Sequence, residues 1–113
     1  SKFYVCPICG NVVSAVGNTV VSCCGITLPP LEAEEPDLQH QITIEKVEDE
    51  QFVTVQHDMT KTHYISFIAH ITTDRVHFQK FYPEGNAETR FSLRGRGYLY
   101  LYCNRHGLMK KKI

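Results

Sequence analysis

From Leu38 onward, apolar and polar positions alternate with the period of two expected of half-buried strands. Ile42 and Ile44 keep one phase, as do Val53 and Val55. Ile65, Phe67, Ala69 and Ile71 form a longer set, and the run from Tyr98 to Tyr102 is aromatic and aliphatic throughout. Turn formers separate these runs at Glu48-Asp49-Glu50, Thr73-Asp74, Pro83 to Asn86 and Gly95-Arg96-Gly97. No stretch keeps a helical period over a useful length. The pattern predicts an all-β fold with strands near 39–47, 52–57, 63–71, 75–82, 88–94 and 97–103, joined up and down as an antiparallel sandwich.

The preceding stretch, to about Glu34, has different physics. It has only short apolar runs but holds four of the five cysteines. A piece this short lies below the roughly 40 residues at which domains usually fold without a metal, disulfides or partners. Pro29-Pro30 and the acidic run to Pro36 read as an extended linker, giving two domains, 1–36 and 37–113. An odd cysteine count argues against a closed disulfide framework and for metal binding in a reducing compartment. Twelve basic and twelve acidic side chains balance to a net charge of zero, which leaves no electrostatic footprint for nucleic acid or a membrane surface. With no span-length apolar run and no apolar signal core, the chain reads as cytoplasmic. Lys110-Lys111-Lys112 reads as a solvated charge run.

Two constellations carry chemistry. Cys6-Pro7-Ile8-Cys9-Gly10 is a metal knuckle, and Cys23-Cys24-Gly25 supplies two more thiolates. Adjacent cysteines make a strained disulfide, and in a tetrahedral site they force an irregular angle at the metal. Four thiolates suit zinc or iron alike. The second constellation follows from strand phase. His40, His57, His63 and Cys103 each share phase with a core-facing set, at the end of a strand. Along an up-and-down path all four reach the same pole, where His106 can join them from the loop after Cys103. His70 and His77 keep the opposite phase and read as surface histidines.

The adjacent cysteines resemble the desulforedoxin-type iron site, a relative of rubredoxin. The segments His57-Asp-Met-Thr-Lys-Thr-His63 and Cys103-Asn-Arg-His106-Gly resemble the paired signatures of superoxide reductases. Together they match the two-iron desulfoferrodoxins over nearly the entire chain. The resemblance implies a desulforedoxin-like domain followed by an immunoglobulin-like β-sandwich. It implies an active iron on His40, His57, His63, His106 and Cys103, with a second iron on Cys6, Cys9, Cys23 and Cys24. It further implies one-electron reduction of superoxide to hydrogen peroxide, a rubredoxin-like electron donor and a homodimer.

The sequence departs from that family in one important place. The glutamate and lysine usual before the first histidine ligand are here Leu38 and Gln39, and the proline usual after the second is Asp58. Lys61, between His57 and His63, is the candidate for the missing positive charge, with Arg105 a second. Glu84 is the candidate for the missing carboxylate. The alternatives are a non-catalytic electron-transfer or redox-sensing iron protein on the same scaffold, and a structural module holding zinc at both sites.

Overall fold

The computed structural model describes residues 2–35, 42–48, 50–55, 57–72, 74–91 and 97–112. Every regular element among them is a strand, and contacts divide the chain into two units, Ser1–Glu32 and Ala33–Ile113. In the first unit β1 (Lys2–Val5) pairs antiparallel with β2 (Val12–Ala15), and β3 (Val21–Cys23) with β4 (Ile26–Leu28). Its core cluster is small: Tyr4, Cys6 and Leu28 are buried, with Val13, Ala15, Val21 and Cys23 packed against them. A core of that size gives little hydrophobic driving force.

In the second unit the strands are β5 (Ala33–Glu34), β6 (Ile42–Val47), β7 (Glu50–Val55), β8 (Ile65–Ile71), β9 (Val76–Lys80), β10 (Glu88–Phe91), β11 (Tyr98–Cys103) and β12 (Gly107–Lys112). They form two sheets, in the orders β10-β7-β6 and β5-β12-β11-β8-β9. Ile42, Val53 and Val55 of the first sheet share a buried cluster with Ile65, Ile68, Leu99, Leu101 and Met109 of the second. The fold is therefore a β-sandwich with its core between the sheets. Neighbouring strands run antiparallel except β5, which adds to β12 in parallel from within the stretch read as a linker.

Two sequence expectations need correction. The path is not a simple up-and-down meander: paired strands from β6 to β12 are antiparallel as expected, but the chain crosses between sheets after β5, after β7, after β9 and again after β10. The alternation in β8 is also broken. Tyr102 pairs with Phe67 but Cys103 pairs with Ile65, leaving Ser66 as the extra residue of a β-bulge. Phase flips there, so Ile65 and Ile68 face the core while Phe67, Ala69 and Ile71 lie opposite the β11 tyrosines on the other face. His70 consequently sits on the core side, opposite Leu99, and is 1% exposed rather than on the surface. An almost continuously apolar strand carries no pattern from which such a bulge could be read. The lysine run is solvated as expected, with Lys111 and Lys112 exposed, but it is also the second half of β12. Lys110 and Lys112 pair with Tyr100 and Tyr98, and Lys110 lays its Nζ 5.4 Å from the Tyr98 ring centre.

Candidate metal centres

Local turns bring the four clustered thiols together. Gly10 adopts φ 75°, and its N–H donates to the Cys6 carbonyl at 2.9 Å, closing the first knuckle. Cys23 and Ile26 are the last pair of the β3–β4 hairpin, so Cys24 and Gly25 form its two-residue loop. Both have positive φ, 52° and 77°, the signature of a type I′ turn. That turn explains the adjacent cysteines: one ends the strand and the other occupies the strained first loop position. The Sγ of Cys9 lies 3.5 Å from that of Cys23, and Cys23 lies 3.9 Å from Cys24. A tetrahedral ion with bonds of about 2.3 Å to sulfur has edges of about 3.8 Å, so the spacing suits one ion with unequal angles. All five cysteines are free thiols.

The thiols shift one another's ionisation in opposite directions. The Cys9 backbone amide pulls the Cys6 thiol down to about 7. Cys9, then Cys6 and Cys23, push the Cys24 thiol up to about 12. Four sulfurs this close cannot all carry charge without a cation among them, and a bound metal supplies it.

The second group forms where β7 ends, β8 begins and the β11–β12 hairpin turns. His57, His63, Cys103 and His106 bring one donor atom each within 4.8 Å of the others. Cys103 Sγ lies 3.5 Å from His57 Nε2 and 3.3 Å from His106 Nδ1. For bonds of about 2.3 Å to sulfur and about 2.1 Å to nitrogen, neighbouring donors on one ion sit about 3.1–3.6 Å apart. The rings turn edge to face, with centres 4.5 Å apart for His57–His63 and 5.1 Å for His63–His106. Gly107, at φ 86°, follows the three-residue loop and returns His106 to the side of Cys103.

Asp58 faces two of these rings and orients one of them. His57 Nδ1 lies 2.6 Å from the Asp58 carbonyl, which accepts only from an N–H, so the Nε2 lone pair is left for a metal. The Asp58 carboxylate stands 3.8 Å from His63 Nδ1, an electrostatic neighbour rather than a hydrogen-bond partner. The residue standing in the family's proline position thus has a role that sequence reasoning did not assign.

Three further residues were missed. Asn104 Oδ1 accepts from the Tyr64 N–H at 2.8 Å, and its Nδ2 donates to the Thr62 carbonyl at 3.0 Å. It thereby ties the turn holding Cys103 and His106 to the loop holding His63. Met59 packs against the core, and its Sδ accepts from the Ile65 N–H at 3.3 Å. Thr60 closes the same loop, its Oγ1 accepting from the His63 N–H at 3.1 Å. An asparagine next to a ligand cysteine was visible in the sequence. Its partners lie about forty residues away in the chain, and only the fold reveals them.

Lys61 is exposed in the His57–His63 loop, and Arg105 is exposed in the turn between Cys103 and His106. Glu84 is exposed in a loop that its own backbone N–H bonds to the Met59 carbonyl, beside the same group. An open recess of about 350 Å³, lined by His57, Met59, Thr54, Asn86 and Glu88 among others, adjoins it. His40, Leu38 and Gln39 lie outside the described residues. His70 and His77 pair across β8 and β9, ring centres 6.1 Å apart, and do not belong to either donor group.

A family profile described as Desulfoferrodoxin matches residues 29–112. A desulfoferrodoxin homolog of Archaeoglobus fulgidus is 32% identical over 116 residues, covering 95% of this chain and 93% of that protein. A desulfoferrodoxin of Syntrophotalea carbinolica is likewise 32% identical, covering 95% and 92%. Among solved structures, the superoxide reductase from Treponema pallidum superposes with a TM-score of 0.80 at 23% identity, covering 98% of this chain and 97% of that one. At that identity the superposition speaks for the fold.

Proposed function

The chain belongs to the desulfoferrodoxin family, and from that premise we propose that it is a superoxide reductase acting at an iron held by His57, His63, Cys103 and His106, with His40 as the fourth imidazole. The observation that carries this reading is the convergence of three imidazoles and one buried thiol from distant parts of the chain on a single point. When bound there, iron supplies the single electron by which superoxide and two protons become hydrogen peroxide.

The protein's own residues do the rest. Cys103 is buried, so its thiolate is shielded from solvent and its charge acts at full strength on the metal beside it. The Asp58 carbonyl fixes the tautomer of His57, its carboxylate faces His63, and Asn104 fixes the spacing between the two loops. Lys61 and Arg105 supply positive charge that draws the anionic substrate to this end of the sandwich. Glu84 supplies a carboxylate in place of the family's glutamate. Solvent provides the protons. The first unit, Ser1–Glu32 rather than 1–36, is the desulforedoxin-like domain, whose four cysteines hold a second iron. A rubredoxin-like donor, a homodimer and a cytoplasmic setting complete the proposal.

The test is a pulse of superoxide delivered to anaerobically reduced, iron-loaded protein, followed through the thiolate absorption of the oxidised iron. Rapid second-order oxidation with one peroxide formed per superoxide, and no oxygen released, is expected. Lys61→Ala should slow that oxidation at low ionic strength and flatten its salt dependence. A slow or absent reaction from an intact iron centre would overturn the proposal in favour of electron transfer or sensing.

A further inference from the structure

One sheet face carries chemistry that the metal centre does not use. Residues directly opposed in an antiparallel pair share a face. The registers therefore line the outer side of the five-stranded sheet with Tyr98, Tyr100 and Tyr102 of β11. Lys80 of β9 flanks them on one side, and Lys110 and Lys112 of β12 on the other. Among the described residues, no strand position on this face carries a carboxylate. In a chain of zero net charge, that is a local excess of three positive charges around an aromatic surface. Such a surface attracts an acidic partner and repels a basic one.

The same face reaches the proposed iron site. The Tyr102 ring lies parallel to Phe67, centres 5.7 Å apart at 5°, and Phe67 stacks on Phe78 at 5.0 Å and 30°. Phe67 is fully buried, whereas Phe78 is 41% exposed, and nearby Val76 and Tyr98 are 40% and 39% exposed. Tyr102 is joined by one peptide bond to Cys103, whose sulfur lies against His57 and His106. A continuous line of packed rings and covalent bonds thus runs from the surface to the thiolate. Tunnelling favours such a path because it decays least through bonds and close contacts.

We propose that this lysine-flanked aromatic face is where a small acidic electron-donor protein docks, and that the Phe78–Phe67–Tyr102 stack couples it to Cys103. The inference rests on reading the His/Cys group as a redox iron centre. One electron leaves the donor's metal, which is oxidised, and arrives at the oxidised iron, which is reduced. No bond or proton changes hands. The contact is small and transient, as electron-transfer encounters are.

The experiment follows reduction of oxidised, iron-loaded full-length protein by a reduced rubredoxin of acidic net charge, in a stopped-flow instrument. The triple variant K80E/K110E/K112E should react at least tenfold more slowly at low ionic strength, with the gap closing at high salt, while its superoxide oxidation measured at high salt stays at the wild-type rate. Equal reduction rates at low salt overturn the docking surface. If the reversal disturbs the iron spectrum, K80Q/K110Q/K112Q carries the comparison: a rate at least threefold lower is expected, and an unchanged one overturns the surface. Phe78→Leu should lower the limiting first-order rate at saturating donor without changing salt dependence, and an unaltered limiting rate removes the ring stack. A wild type that accepts electrons in this way but ignores superoxide keeps the docking surface and removes the superoxide reading.

Discussion

Replacing Asn104 by alanine tests the architecture of the His/Cys group most directly. The change removes two hydrogen bonds, at 2.8 Å to the Tyr64 N–H and 3.0 Å to the Thr62 carbonyl. A typical intramolecular hydrogen bond contributes about 0.5–1.5 kcal/mol net. Asn104 is exposed, so water can take up the abandoned groups and no burial penalty is added. The loss should therefore be about 1–2 kcal/mol, or about five- to thirtyfold in an equilibrium constant. The backbone bond from the Asn104 N–H to the Tyr64 carbonyl, 3.1 Å long, survives the substitution and keeps β11 in register. Iron transfer to a ferrous chelator, followed at the thiolate absorption, should be faster by about that factor if the clamp acts through metal affinity. Urea unfolding of metal-free and metal-loaded protein then separates site from scaffold: the loaded form should lose more stability. Asn104→Asp keeps the acceptor for Tyr64 but sets a carboxylate against the Thr62 carbonyl, so it should fall between. Wild-type metal retention together with wild-type stability would refute the idea that this side chain holds the two loops together.

Other outcomes follow from the rest of the molecule. Burial, helped by the neighbouring His77, lowers the pKa of His70 below its ordinary 6.5. The fold therefore favours the neutral ring, so this contribution to stability is fully present above pH 6.5 and is lost as pH falls through the lowered value. Thermal unfolding of metal-loaded wild type should weaken more on acidification than that of His70→Gln, and parallel curves would count against it. At Gly97 an added Cβ would run into the Ile71 carbonyl oxygen. Gly97→Ala should cost about 1–3 kcal/mol in urea unfolding, and an unchanged midpoint would mean that the backbones are not so close. Stripping metal under reducing conditions should collapse amide dispersion for residues 2–31, whose core cannot stand alone, while β8 signals persist. A first unit that stays ordered without metal would contradict that.

Much was legible in the chain itself because it depends on local chemistry. Period-two alternation identifies strands wherever one face is polar, as in Ile42–Ile44 and Val53–Val55, since a strand's side chains must alternate. The first knuckle was legible because the two-residue spacing of Cys6 and Cys9 and the αL glycine behind them are local requirements of shared coordination. Strand-end position in phase with a core face also pointed to His57, His63 and Cys103. These are among the donors that the fold brings within 4.8 Å of one another.

Tertiary structure decided what depends on partners remote in sequence. The bulge at Ser66 arises from pairing with β11, and in a strand apolar on both faces nothing local marks it. It moved His70 to the core side and placed Phe67, still fully buried, on the opposite face of the sheet. The strand character of Lys110–Lys112 likewise comes from the tyrosines opposite, because lysine has little preference for strands of its own. The order of strands, and with it the crossing between sheets, also lies beyond a pattern that records only which side chains are apolar. Alternation determines which residues face inward, but pairing alone determines which of them meet, and a metal site is made of residues that meet.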